Sequence, residues 1–322
     1  MSHHRTWFLA AACLALAASN SAAQDWPSRS IRAIVPVAAG SSTDIVPRLV
    51  LDQLSARLGQ SIVVENRTGA GGTIGSAFVA KAEPDGYTVL AHGSAHTIAP
   101  SVYVKLSYDP AADLVAVVPL GVTPSVLVVA PGKGFKTAAD LVVAGKTRPG
   151  TLNFSSVGIG SATHLSAERF LASAGLKAVH IPFKGGAEAM SEAMAGRVDF
   201  FFGPVALVLP QIRDGKLVPL AVNGTKRTAA LADVPTTAEA GFPDAEYPIW
   251  FGLFVPGKTS REVVEKLNRE TLKTLQEPTL RTRLASLGVD PMVMSPAEFE
   301  AHVQREIALN ANLVKAVGIK PE

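Results

Sequence analysis

Residues 31–35 form a short apolar run, 36–44 a polar stretch of small residues, and 45–58 an amphipathic run with apolar positions at helical spacing. This predicts a strand, a tight loop and a helix. The alternation then repeats. Residues 62–65 read as a short buried strand and 66–75 as a glycine-rich turn into a helix ending near Ala82. Residues 87–91 follow the Pro84-Asp85-Gly86 turn as a strand, with a polar loop over 92–97. Apolar runs at 115–118 and 125–130 are split by Gly121 and Pro124. Thr137 and Asp140 have capping-box spacing for a helix to about Ala144. Strands are predicted at 152–155, 178–182, 198–202 and 217–222, alternating with helices that end at Gly175, Ala195 and Arg213. A short capped turn or helix is read at 235–241. After a strand at 249–255 come three helices, the first and last opened by capping boxes at Thr259/Glu262 and Ser295/Glu298.

Strands alternating with helices predict an α/β chain with parallel sheets. The units fall into two sets, which predicts two lobes: residues 24–124 plus 248–322, and residues 125–247. The runs at 115–130 and 250–255 are read as the crossings. Ligands of such sheets bind beyond the carboxyl ends of the strands, so two facing lobes form a cleft that closes on its ligand.

Residues 1–23 change the picture of where the chain works. They begin with His3, His4 and Arg5, continue apolar to about Ala18 and end Ser21-Ala22-Ala23. This is the pattern of a secretory signal peptide cleaved near Ala23, too short to span a membrane. Export of the mature chain is expected. The only cysteine, Cys13, lies inside it, so the mature chain has neither disulfide nor thiol chemistry. Removing Arg5 from 30 basic side chains leaves 29 against 27 acidic ones, too balanced for a nucleic-acid-binding face.

The candidate chemistry lies in two small-residue loops, each after a strand and before a helix. Ala38, Ala39, Gly40, Ser41, Ser42, Thr43 and Asp44 form the first; Ser156, Gly158, Gly160 and Ser161 belong to the second. Helix starts carry unpaired N–H groups and attract anions, which points to a small carboxylate ligand. Ser94, His96 and Thr97 are expected at the mouth of the first lobe, Lys184 and Gly185 at that of the second. Two other signals have plainer readings. Gly252 to Thr259 fits G-x-x-x-x-G-K-T, but three bulky residues and a proline stand where a phosphate cradle needs free N–H groups. Residues 69–75 imitate a dinucleotide fingerprint with the third glycine one place late. There is no G-x-S-x-G elbow and no H-E-x-x-H pair. No cofactor or metal is expected.

Nine segments, from IRAIVPVAAGSSTD through AKAEPDGYTVL, SSVGIGSATHLSAE and HIPFKGGAEAM to WFGLFVPGKT, together resemble the Bug family across essentially the whole mature chain. These are the periplasmic solute-binding proteins of tripartite tricarboxylate transporters. The resemblance implies a two-lobed type II periplasmic-binding-protein fold and a small carboxylate or dicarboxylate ligand. It also implies membrane transporter subunits as partners. Two departures stand out. The family's first loop usually reads Pro-Phe-Pro-Pro-Gly-Gly, where this chain has residues 36–41 as PVAAGS. An aspartate often follows the strand at 198–202, where this chain has Gly203; its loss argues against an amino-acid ligand and is expected to leave more room in the ligand cleft, which makes Gly203 a candidate site position. A monomeric, non-enzymatic binding protein is expected, with a receptor feeding a signalling partner and a hydrolase as the alternatives.

Overall fold

The computed structural model describes residues 26–321; the signal peptide reading lies outside them. In the first lobe the chain runs β1 (Ile31–Val35), α1 (Ser42–Leu58), β2 (Ile62–Asn66), α2 (Thr73–Ala80), β3 (Thr88–Gly93), α3 (Ala95–Val102) and β4 (Leu114–Thr123). It then enters a second sheet through β5 (Ser125–Val129), α4 (Ala138–Thr147), β6 (Asn153–Ser156), α5 (Ala162–Ala174) and β7 (Val179–Pro182). That lobe is completed by α6 (Gly186–Met194), β8 (Phe200–Pro204), α7 (Val205–Arg213) and β9 (Val218–Val222). The chain returns to the first sheet as β10 (Ile249–Pro256) and ends with α8 (Arg261–Leu275), α9 (Pro278–Ser286) and α10 (Pro296–Ala316).

The two sheets share one plan. Their orders are β2-β1-β3-β10-β4 and β7-β6-β8-β5-β9. In each, the strand that arrives after a crossing lies fourth, antiparallel to both neighbours. The remaining pairs, β1 with β2 and β3, and β6 with β7 and β8, are parallel. Parallel strands need their connections on the sheet faces, so each lobe has a core on both sides. In the first lobe α1, α8 and α9 cover one face through Val50, Leu54, Leu267 and Leu284. The other face holds Trp250, Phe254 and Phe299.

Several expected features shift. The strand at 62–65 is an edge strand, not a buried one, and Val63 is 57% exposed. Gly121 does not end a strand: β4 runs through it, and the glycine lets the ladder bulge against β10 with φ of 149°. Residues 250–255 are not a crossing, because β10 is paired on both sides inside the first sheet. The return crossing falls between Val222 and Ile249. Gly252 sits where Phe299 packs flat on the strand; a Cβ there would meet the Phe299 ring at 2.4 Å.

Capping also moved at one helix. The boxes at Thr137/Asp140 and Ser295/Glu298 are both closed. The box expected at Thr259/Glu262 is not: Thr259 closes a turn onto Pro256, and Ser260 caps α8 by accepting from the Val263 N–H. Ser260→Ala is therefore expected to cost about 1 kcal/mol, the typical value of a lost N-cap. Removing the Glu262 side chain should cost less, and urea unfolding of the two variants ranks them.

Between the lobes lies a small apolar cluster. Ile98 and Val102 from α3, Leu165 from α5, Tyr247 from the return crossing and Val314 from α10 meet there. The terminal helix thus packs against both crossing and second lobe.

Candidate functional site

The sheet order brings the loops after β1, β2 and β3 together at one edge of the first lobe, and those after β6, β7 and β8 together at one edge of the second. In the first loop Ala38, Ala39 and Gly40 are exposed, and Ser41, Ser42 and Thr43 are half-buried. Gly40 has φ of 83°, a turn that favours glycine. Ser41 caps the helix in extended geometry but turns its hydroxyl to the Ala38 carbonyl. The N–H groups of Ser42 and Thr43, at the start of α1, have no acceptor within the helix.

Asp44 is turned inward beneath the loop. It is buried, and its carboxylate accepts from the Gly40 N–H at 2.9 Å, Arg48 Nε at 2.8 Å and Asn66 Nδ2 at 2.8 Å. Asn66 also donates to the Val37 carbonyl. Burial pushes the Asp44 carboxyl up, but the hydrogen bonds from Gly40, Asn66 and Arg48 outweigh it and hold it below its ordinary value. The residue shapes the loop from beneath. Asn66 and Arg48 complete this clasp and were not singled out in the sequence, where an Asn and an Arg at such separation carry no local signature.

The second loop is similarly tied to itself. Gly158 and Gly160 have φ of 121° and 68°. Ser156 Oγ bonds both the N–H and the carbonyl of Gly158 and lies 2.5 Å from His180 Nε2. Ser161 caps α5 through the His164 N–H and donates to the Gly158 carbonyl. The Gly160 N–H donates to His164 Nδ1, and the His164 and His180 rings stack at 3.7 Å. Burial, with His164 beside it, lowers His180 to about 3, so it is neutral near pH 7. The two serine hydroxyls thus serve the loop.

Elsewhere the expectations divide. Lys184 is exposed, and its N–H faces Glu188 at the start of α6; Gly185 is the N-cap of that helix. Ser94, His96 and Thr97 are not at a mouth. β3 extends through Gly93 and α3 begins at Ala95, turning all three inward. Ser94 accepts from the Trp250 N–H, His96 packs on Phe254 at 4.5 Å, and Thr97 donates to the Ser94 carbonyl. Gly203 is also a correction. It lies inside β8 opposite Val126, and a Cβ there would meet Val208 at 2.3 Å and Phe201 at 2.7 Å. The position packs beneath α7 rather than opening on the cleft. The lobes touch directly at Gly160, whose Cβ would lie 2.8 Å from Val102.

The sequence model of the tripartite tricarboxylate transporter family receptor matches residues 46–319. The chain belongs to that family. Among its relatives is protein BugT of Bordetella pertussis, 34% identical over 315 residues, covering 97% of this chain and 96% of that one. A solved R. palustris protein with adipate is 33% identical, covers 92% of this chain and all of its own, and superposes with a TM-score of 0.86. MatC from Rhodopseudomonas palustris, solved with bound malate, is 31% identical with a TM-score of 0.81, over 90% and 100% of the two chains. The receptor family's two-lobed periplasmic-binding-protein fold is therefore the fold of this chain, as the paired sheet orders require. The Bug resemblance read from the segments holds.

Proposed function

We propose that this chain is a periplasmic receptor that captures a small organic acid anion between its lobes for a tripartite tricarboxylate transporter. The lobes are read as residues 24–124 plus 248–322 and residues 125–247, and the receptor as a monomer cleaved near Ala23. The observation that carries the reading is the pair of helix starts at Ser42 and Ala162, each opening from a loop at the carboxyl edge of its sheet. Their N–H groups suit a carboxylate, and the family relatives solved with adipate and malate support that chemistry. Lys184 supplies a cation at the outer rim. Binding without turnover is favoured because the Ser156 and Ser161 hydroxyls are engaged in holding their loop. The partners are the transporter's membrane subunits.

A thermal-shift screen of mono-, di- and tricarboxylates tests this. A ligand that binds only the native state at about 100 times its Kd adds about 2.7 kcal/mol of stability. Melts that respond only to sugars or cations would overturn the carboxylate reading.

Closure of the lobes passes through the Gly160–Val102 contact. Gly160→Val adds a side chain 2.8 Å from Val102, at a φ of 68° that costs an L-residue about 1–2 kcal/mol. The expected result is a folded protein whose lobes stay apart. Its radius of gyration should no longer fall with ligand, and its affinity should drop about tenfold for each ~1.4 kcal/mol lost from the closed form.

A further inference from the structure

Both passages between the sheets narrow to a proline. β4 ends at Thr123 and β5 begins at Ser125, with Pro124 between them. On the return, Pro248 stands directly before Ile249, which opens β10 opposite Thr123 in the first sheet. The chain ahead of Pro248 is still fastened to the second lobe. Ala245 is buried in that lobe's core, and Arg169 Nε on α5 donates to the Asp244 carbonyl at 2.7 Å. The Tyr247 N–H donates to the Asn223 carbonyl, and Asn223 Nδ2 donates to the Tyr247 carbonyl, both at 3.0 Å. The Tyr247 hydroxyl goes the other way. It donates to Asn310 Oδ1 at 2.7 Å, on the terminal helix α10 that packs on the first sheet. Tyr247 thus has its main chain in one lobe and its polar tip in the other.

The acceptor is held in place. Asn310 is buried, and its Nδ2 donates to Thr97 Oγ1 on α3 at 3.0 Å. The Thr97 proton is directed to the Ser94 carbonyl or to Glu306, so toward Asn310 that hydroxyl can only accept. This turns the amide oxygen to Tyr247. Burial, with Glu306 nearby, pushes the Tyr247 hydroxyl well above its ordinary pKa, so it keeps the proton it donates. α10 grips the return segment again at Trp250, whose Nε1 donates to Glu306 at 2.6 Å. The Tyr247–Asn310 bond is made with the lobes in contact, for Val102 at the end of α3 meets Gly160 of the second loop.

We propose that the Tyr247–Asn310 hydrogen bond is a latch across the hinge, and that both are positioning residues for ligand capture. This rests on the reading that the ligand is held between the lobes. Turning one lobe against the other about Pro124 and Pro248 moves Tyr247 with the second lobe and Asn310 with the first. A bond made at one lobe angle favours that angle over the others, and the angle it favours is the one at which the jaws touch.

The test uses the mature protein with Tyr247→Phe, which removes only the hydroxyl. Asn310→Leu removes the acceptor at similar size and carries the comparison if the first variant misfolds. Small-angle scattering without ligand should give a larger radius of gyration for each variant than for wild type. Calorimetric titration with adipate and malate should show about three- to tenfold weaker binding, the worth of one hydrogen bond. The double variant should bind no worse than the weaker single one, because the two residues share that bond. Ser260→Ala separates the latch from general loss of stability: it weakens α8 and should change neither radius of gyration nor affinity. An unchanged radius of gyration in the variants, or an unchanged affinity, overturns the latch and leaves carboxylate capture in place. If neither acid binds the wild type, the radius of gyration alone decides the latch, and the wider thermal-shift screen decides capture.

Discussion

Replacing Asn223 with alanine is expected to cost roughly 2–6 kcal/mol of stability, from two buried backbone groups that each lose about 1–3 kcal/mol of pairing. Asn223 follows β9, is 0% exposed and joins three segments. Its Oδ1 accepts from the Ser125 N–H at 2.6 Å, just past the first crossing. Its Nδ2 donates to the Tyr247 carbonyl and to Ser166 Oγ on α5, both at 3.0 Å. Its own backbone bonds Ser125 and Tyr247 as well. Both chain crossings are therefore fastened to one amide side chain. Alanine leaves the Ser125 N–H and the Tyr247 carbonyl dry and unpaired, and urea unfolding reads the loss. A loss under 1 kcal/mol would mean that water reaches the crossing and replaces the amide. Asn223→Asp keeps the acceptor and loses the donor, so it tells the two halves apart.

Asn223 also shows what the residue pattern withheld. The alternation of apolar runs and turns carried the two-sheet plan, because each strand buries a face against helices that bear a matching stripe. Boundaries were legible where a cap or a left-handed glycine stood, as at Ser295 and Gly175. They slipped where tertiary packing decided them. His92 and Gly93 continue β3 because β10 pairs alongside, and His96 enters the core because Phe254 is there to receive it. The loops offering N–H groups were visible as small residues before helices. The side chains that hold those loops were not: Asn66, His180 and Asn223 act across separations that no periodicity marks. Gly203 misled for the opposite reason, since a family departure was read as cleft space when the backbone aims that position at Val208.

Asp44→Ala is expected to lower stability by about 2–4 kcal/mol and to weaken ligand binding more than tenfold. The carboxylate is 4% exposed and serves the Gly40 N–H, Arg48 and Asn66 together. Truncation leaves the Gly40 N–H without its acceptor and frees the loop that carries Ser42 and Thr43. Arg48 is 40% exposed and regains water, which keeps the cost below that of a fully buried broken pair. Asp44→Asn should keep the acceptor for Arg48 and Asn66 but turn an amide donor toward the Gly40 N–H. Its binding defect should then exceed its stability defect. The pH dependence follows from the direction of the shift. The folded carboxyl lies below its ordinary value of 3.8, so its stabilisation is present above that value and is lost as pH falls through the folded pKa. Wild type and Asp44→Ala should therefore differ most near neutral pH and converge as acid protonates the folded carboxyl. A gap between their unfolding free energies that stayed constant from pH 7 down to about 2 would show that the carboxylate's charge contributes nothing, and that the clasp is only a matter of shape.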